Sequence, residues 1–275
     1  MTTPRKTPLQ TFTIHDFDHV IISSSGGKDS QAMLWELYKE AYDSGYPIDQ
    51  ITVFHAHLPA VEWPGVRELA RTQAETLGLA YVELRRRQGG LLDHVRDRKM
   101  WPSPRQRYCT SDHKRAPEHR LYTRIARRWR ERTGEQRPCR ILSCMGMRAQ
   151  ESVSRAKMVP FQLLERASNG RRDVYQWLPL HDWTVDQVWE AIDESGLPHH
   201  WAYDIGMPRL SCCFCIFAPK SALVLAGRHN KELLEEYVRV EEEIGHTFKP
   251  DLTLREVLDE VESGETPETV PDWNM

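Results

Sequence analysis

The chain has 275 residues, of which 40% are hydrophobic and 28% charged, with 37 lysines and arginines set against 40 acidic residues and a formal net charge of −3. That composition is ordinary for a folded protein, and the length suits one large domain or one domain with an extension. No long apolar run is present, which excludes a transmembrane helix, and the opening MTTPRKTPLQ lacks the apolar core of a signal peptide, so a cytoplasmic location with no membrane contact is expected.

Residues 1–17 read as an N-terminal arm. Strand and helix signals then alternate. Residues 20–23 read as a strand and 30–44 as a helix. ITVFHAH, residues 51–57, is a second strand, and residues 65–77 carry apolar side chains at helical spacing before Gly78. LAYVEL, residues 79–84, is a third strand, and RILSC, residues 140–144, a fourth. This βαβαβ order predicts an α/β fold, a doubly wound and mainly parallel sheet covered by helices. Beyond residue 160 the pattern predicts a short strand near 174–178, a helix over 185–194, a cysteine-bearing loop and helices to residue 262. Residues 219–275 read as a C-terminal helical extension ending in a loosely held tail, GETPETVPDWNM. In such sheets ligands bind at the carboxyl ends of the strands. The glycine-rich SSSGGKDS, FHAHLP and CMGMR all fall there.

Charge is unevenly spread. Arginines dominate from Arg85 to Arg140, whereas the chain is acidic from Lys231 onward. A basic segment beside a nucleotide loop suggests polyphosphate or nucleic acid nearby. For residues 124–132 a solvated helix face reads equally well, and the acidic stretch reads as solvated helical surface.

The string SSSGGKDSQAML, residues 23–34, carries the sharpest signal. Gly26 and Gly27 let backbone amides approach a phosphate, and the following helix offers its positive N-terminus. Ser23, Ser24, Ser25 and Ser30 supply hydroxyls, and Lys28 supplies charge. The spacing is not that of a Walker A loop, GxxxxGK[ST]. It resembles the PP-loop of the ATP pyrophosphatase superfamily, whose members cleave ATP between the α and β phosphates. That resemblance implies ATP and Mg²⁺ as ligands, nucleotide contacts from Ser23, Ser25, Gly26, Gly27, Lys28, Asp29 and Ser30, and catalytic roles for Lys28 and Asp29.

GMRAQESVSRAK, residues 146–157, resembles the G-x-R-x-x-E-S-x-x-R stretch of the phosphoadenosine-phosphosulfate-reductase-like branch. The resemblance implies that Gly146 lies against the nucleotide and that Arg148 and Arg155 face phosphate or an anionic substrate, since a guanidinium grips such groups bidentately. Glu151 is expected to orient one of them or to bind Mg²⁺ indirectly. WLPLHDWTVDQVWEAI also resembles that branch. Its Trp177, Trp183 and Trp189 read as packing residues. His55, His57 and Glu62 lie after the second strand. His55 is expected to contact nucleotide, and a weak metal site and a plain polar cleft mouth both remain open for the three.

Six cysteines in a chain of this kind point to metal binding or catalysis and away from a disulfide framework. SCCFCIF gives Cys212-x-x-Cys215, with Cys213 between, and YCTSDHKRAP gives Cys109. The arrangement resembles that of the iron–sulfur sulfonucleotide reductases, with their tandem Cys-Cys broken here by Thr110. The resemblance implies Cys109, Cys212 and Cys215 as ligands of an iron–sulfur cluster of 4Fe-4S type, with zinc as the alternative. The fourth ligand is open between Cys213, Cys144, His113 and a non-protein group. Cys139 reads as a buried thiol. No cysteine follows Cys215, where reductases of this family carry a C-terminal nucleophile, so reduction of adenylyl sulfate is not expected.

Taken over residues 18–218, the resemblance implies a PP-loop domain of adenine nucleotide alpha hydrolase type with a cysteine cluster. The type it resembles most is the ATP pyrophosphatase component of DNA phosphorothioation systems, which implies a cysteine desulfurase partner and DNA or a DNA-nicking partner nearby. A sulfate adenylyltransferase small subunit, a tRNA thiolase and a non-enzymatic ATP-binding module are the alternatives.

Overall fold

The computed structural model describes residues 12–264 and 269–273. Its frame is one sheet of six strands. They are β1 (His19–Ser23), β2 (Ile51–Ala56), β3 (Ala80–Leu84), β4 (Cys139–Met145), β5 (Phe161–Leu163) and β6 (Arg172–Trp177), in the spatial order β3-β2-β1-β4-β6-β5. All pairs are parallel except β5 with β6. The doubly wound α/β expectation is met. From β1 the chain steps outward to β2 and β3, then returns to lay β4 on the other side of β1. That reversal opens a crevice at the carboxyl ends of β1 and β4. Register aligns those ends: Ser23 pairs with Phe54 on one side and with Met145 on the other.

Alternation along the strands decides what each face buries. In β4, Leu142 and Cys144 face one core with α1 (Lys28–Ser44) and α7 (Val185–Ser195), through Met33, Leu34, Leu37, Val188 and Ile192. Cys139 and Ile141 face the other, with Leu121, Tyr122, Ile125 and Trp129 of α5 (Ala116–Thr133). The arginines of α5 lie opposite that apolar stripe, and Arg127 pairs with Glu131 and Arg132 with Asp49 at the surface. For residues 124–132 the solvated-face reading therefore describes the helix. α2 (Val66–Thr76) covers β2 and β3.

Trp177 is buried in the α1 core, with Trp183 and Trp189 packed against it, as expected of packing residues. The arm residues Ile14 and Phe17 are buried in that same core, and residues 1–11 lie outside the described residues.

A third core lies beyond the sheet. It joins α3 (Leu91–Arg98) and the cysteine loop to α8 (Lys220–His229), α9 (Lys231–Ile244) and α10 (Leu254–Ser263). Val270 and Trp273 insert into it, and Asp272 lies 3.0 Å from Arg209. These residues are docked, which corrects the expectation of a loosely held tail. The polar GETPET suggested loose chain, while two apolar residues further on find a core to enter. Residues 265–268 and 274–275 of that stretch lie outside the described residues.

A candidate nucleotide and thiol site

The glycine loop is held by its own serines. Ser25 N–H donates to Ser30 Oγ (3.1 Å), which donates to Gly27 O (2.8 Å). Gly26 takes φ +70°, a left-handed conformation that glycine adopts without strain. α1 starts at Lys28, whose N–H donates to the Tyr203 hydroxyl (2.8 Å). The Lys28 side chain is only 2% exposed. Its ammonium donates to Pro208 O (3.0 Å) and lies 3.4 Å from Asp29 Oδ2. Asp29 Oδ1 accepts from Arg148 Nε at 2.5 Å.

The carboxyl end of β4 meets this loop backbone to backbone. A Cβ on Gly146 would stand 2.6 Å from Asp29 O, which only glycine avoids. Arg148 follows, and Glu151 gathers the cations around it. Glu151 Oε2 accepts from the Arg148 N–H (2.9 Å) and from Arg155 Nη1, and Oε1 accepts from Arg209 Nη2 (2.9 Å). Glu151 thus bonds the Arg155 and Arg209 side chains and the Arg148 backbone. Arg209 is 3% exposed, and its Nη1 has no hydrogen-bond partner among the described residues.

A cavity of about 840 Å³ opens beside the loop. Its lining joins Ser23, Ser24 and Ser25 of the loop to Thr110, Lys114 and Cys212. Under its floor Glu118 accepts from Ser23 Oγ (3.1 Å) and Ser143 Oγ (2.9 Å), and burial pushes its carboxyl above the usual carboxylate range. Lys28, Asp29, Arg148 and Arg155 are not lining residues; they stand behind the loop with their charges paired to protein groups.

On the β2 side, His55 Nδ1 donates to Ser24 O (3.0 Å) and stands with Glu62 at the cavity wall. Glu62 takes Leu58 N–H on Oε1 (3.1 Å) and His57 Nδ1 on Oε2 (2.8 Å). Burial pushes the Glu62 carboxyl up, and its charge interaction with His55, its bond with His57 and the Leu58 N–H outweigh that and hold it below the usual range.

The cysteines divide. Cys109, Cys212 and Cys215 are half-buried against the third core, and Lys114 interacts electrostatically with all three. Burial pushes the Cys212 thiol up to about 12, against the pull of Lys114. Burial also works to lower the Lys114 pKa, and the three thiols more than reverse it. Cys109 sits in the short α4 (Tyr108–Thr110), followed by a π turn, Ser111–Arg115, that carries Lys114 into the cavity wall. Cys213 is buried in the core between its neighbours, its N–H bonded to Val61 O (2.8 Å).

Cys144 points into the α1 core, a different cluster from the one holding the cysteine loop, and Cys139 is buried under α5. His113 is engaged through Nε2 with His94 Nδ1 at 3.2 Å. Of the open choices for a fourth ligand, only Cys213 belongs to the loop that carries Cys212 and Cys215.

Whether these residues suit a metal group can be tested on Tyr237 of α9. Its hydroxyl is fully buried without a hydrogen-bond partner among the described residues, and it interacts electrostatically with Cys212, Cys213, Cys215 and Cys109. An orphaned buried hydroxyl costs about 1–3 kcal/mol unless something accepts its proton. Metal-bound thiolates and sulfides are such acceptors. The donor set is therefore consistent with a thiolate-held group at Cys109, Cys212 and Cys215.

Tyr203 and Arg209 are the residues that sequence reasoning missed. Both lie in HHWAYDIGMPRL, a stretch without periodicity, from which Tyr203 reaches Lys28 across 175 positions and Arg209 reaches Glu151 across 58. The only signal was a lone basic residue just ahead of the cysteines.

A doubly wound sheet with a serine–glycine loop at its switch point, backed by a lysine and buried arginines, defines a nucleotide-binding α/β protein. The phosphoadenosine phosphosulfate reductase domain model matches residues 19–218, and the chain belongs to that family. It is 36% identical over 70 residues to the adenosine 5′-phosphosulfate reductase of Oceanobacillus iheyensis, a match spanning 26% of this chain and 27% of that protein. Among solved structures it is similar to the phosphoadenylyl-sulfate reductase of Candida auris in its phosphate complex (TM-score 0.49, 17% identity, 72% of this chain and 83% of that one). It is also similar to the U34-tRNA thiolase NcsA of Methanococcus maripaludis with its [4Fe-4S] cluster (TM-score 0.43, 13% identity, 89% and 70%).

Proposed function

We propose that the protein is an ATP pyrophosphatase that adenylates an acceptor for sulfur transfer, with a backbone phosphate of DNA as acceptor and a cysteine desulfurase as sulfur donor. The observation that carries this reading is one cavity lined both by the hydroxyl-bearing serines of the glycine loop and by Lys114 and Cys212, with Lys114 interacting with the cysteine thiols. ATP lies with its phosphates on the glycine loop and the α1 N-terminus. Lys28 leaves Pro208 O for the phosphates, and Asp29 takes the associated Mg²⁺. An acceptor oxygen attacks the α-phosphorus, and the α–β bridging oxygen leaves with pyrophosphate. Arg148, held by Asp29 and Gln150, and Arg155, held by Glu151, stabilise the charge that gathers on the leaving group. A persulfide sulfur from the desulfurase then attacks the adenylated phosphorus and displaces AMP, and a thiol cleaves the resulting S–S bond, leaving the sulfur on the acceptor and a disulfide on the donor side.

Cys109, Cys212 and Cys215 hold an iron–sulfur cluster in this reading, with Cys213 the nearest fourth thiol. When bound it supplies iron that can carry sulfur close to the acceptor. A zinc ion is less well suited. Around tetrahedral zinc the sulfurs would lie about 3.8 Å apart given Zn–S bonds near 2.3 Å, and the three thiols do not all fall within 4.8 Å of one another. A polyanionic acceptor is supported by Arg85, Arg86 and Arg87 in a second pocket of about 480 Å³, whose Arg96 is paired with Glu236 and whose lining also includes Asp93.

The test supplies labelled cysteine, a desulfurase, ATP and each acceptor in turn. Label in nuclease-resistant dinucleotides of DNA supports the reading. Label in tRNA transfers the same chemistry to a thiolase, ATP-dependent adenylylation of free sulfate without a thiol metal favours the adenylyltransferase, and ATP bound intact with every acceptor favours a non-enzymatic module.

A further inference from the structure

His55, His57 and Glu62 form a second group suited to a metal, separate from the thiols. Each offers one ligand atom, and the three atoms all lie within 4.8 Å of one another; among the described residues no other set of three His, Cys, Asp or Glu does so. The fold makes the set. His55 and His57 are two positions apart at the end of β2, so their side chains leave the same side of the strand. The next turn then bends back, with Ala60 at φ +58°, and returns Glu62 to them. Glu62 is pinned by the Leu58 N–H. One residue before it, Val61 O accepts the Cys213 N–H at 2.8 Å, which ties the turn to the cysteine loop.

The proton arrangement points to a cation. Ser24 O can only accept, so the proton on His55 sits at Nδ1. In the neutral ring Nε2 then carries a bare lone pair. His55 is 1% exposed, Nε2 has no hydrogen-bond partner, and the nearest oxygen, Glu62 Oε1 at 3.2 Å, is another acceptor. Two acceptors facing each other in a buried site repel unless a positive charge stands between them. A histidine whose far N–H is fixed by a backbone carbonyl is also the usual arrangement of a metal ligand.

We propose that His55, His57 and Glu62 hold one divalent transition cation at the cavity wall, between the glycine loop and the thiols. Two imidazoles and a carboxylate suit Zn²⁺, Mn²⁺ or Fe²⁺, whereas Mg²⁺ prefers oxygen ligands and retained water. Three protein ligands leave a coordination position open. His55 and Glu62 line the cavity, so that position is available to an anionic oxygen entering it. The site needs no ATP chemistry and stands whether or not pyrophosphate is released.

The experiment uses the full chain, purified anaerobically with its thiol-bound metal, in the absence of nucleotide. Mn²⁺ is the probe because it has little preference for thiolates and its free ion is read by electron paramagnetic resonance. The wild type should take up about one Mn²⁺ per chain, as the single three-ligand set predicts. His57→Ala and Glu62→Gln should each weaken uptake about tenfold or more. Cys139→Ser, buried under α5 in a separate core, should leave it unchanged. Glu62→Gln keeps the side chain's shape, so an unchanged circular dichroism spectrum with lost Mn²⁺ separates ligation from folding. No uptake of Mn²⁺ or Zn²⁺ at about 1 mM, or equal uptake by the wild type and both variants, would overturn the assignment and leave a shared proton to join the three groups.

Discussion

The two ends of the cavity are finished differently. At the glycine loop each charge meets a protein partner: Lys28 on Pro208 O and Asp29, Arg148 on Asp29, and Arg155 and Arg209 on Glu151. At the thiol end partners are wanting. Tyr237 Oη is buried with nothing to donate to, and three half-buried thiols surround an ammonium. The contrast follows from what each end is built to hold. A nucleotide comes and goes, so its ligands need resting partners that phosphate can replace. In the proposed reading the thiols hold a resident metal group, whose surroundings would be shaped for the loaded state.

The comparison predicts unequal responses. The largest is at the loop. Lys28→Ala should lower pyrophosphate release about 100-fold or more, as removal of one preorganised charge from a transition state does. Circular dichroism should be unchanged, because the backbone bond to Tyr203 stays and only side-chain contacts with Pro208 O, Asp29 and the Tyr203 ring are lost. Near-normal release would place the phosphate end elsewhere.

Next come the thiols. Cys109→Ser, Cys212→Ser or Cys215→Ser should bleach the anaerobic protein and remove its iron, and Cys139→Ser, buried under α5, should not. Colourless wild-type protein carrying zinc would break the contrast at that end. Gly146→Ala should destabilise the chain by about 1–3 kcal/mol, because its Cβ would overlap the backbone of Asp29. Chemical denaturation reads that directly.

Acid acts on both ends and more strongly on the thiol side. Burial pulls His113 there, and His19 at the foot of β1, down to about 4, and His94 is lowered as well. These rings stay neutral in the folded chain while the unfolded chain takes up protons near 6.5. Stability is therefore full above pH 6.5 and falls as pH drops from 6.5 toward 4. Glu62, whose folded pKa lies below its unfolded value, loses stabilisation in the same direction. A melting temperature at pH 5 equal to that at pH 7.5 would contradict this. The smallest effect is that of Tyr237→Phe. It should keep the metal and the fold, and shift the reduction potential of the thiol-held group by removing one hydrogen-bond donor. An unchanged potential would mean that the hydroxyl serves packing alone.

What could be read in the sequence was whatever is local along the chain. SGGKDS carries its turn, its helix start and its hydroxyls within a few residues, so both the loop and its place at a strand end were legible. The Cys212-x-x-Cys215 pair was equally plain. Groups assembled across the fold were not. Tyr203 reaches Lys28 from a stretch without helical or strand period, and Arg209 meets Glu151 only because β4 and the cysteine loop converge. Cys144 and Cys213 were both open as fourth ligands until strand alternation sent Cys144 into the α1 core. Strand β5 was missed because three residues are too few to show alternation, and the docked Trp273 because its polar neighbours outweighed it.

The central claim is that the loop end cleaves ATP between its α and β phosphates. ³¹P NMR of ATP and Mg²⁺ with the anaerobic full chain, with plasmid DNA, tRNA and sulfate supplied separately, tests it most directly. The account predicts that at least one acceptor yields pyrophosphate matched mole for mole by AMP and adenylate, and that Lys28→Ala stops it. ADP and orthophosphate as products, or ATP left intact with every acceptor, would contradict it.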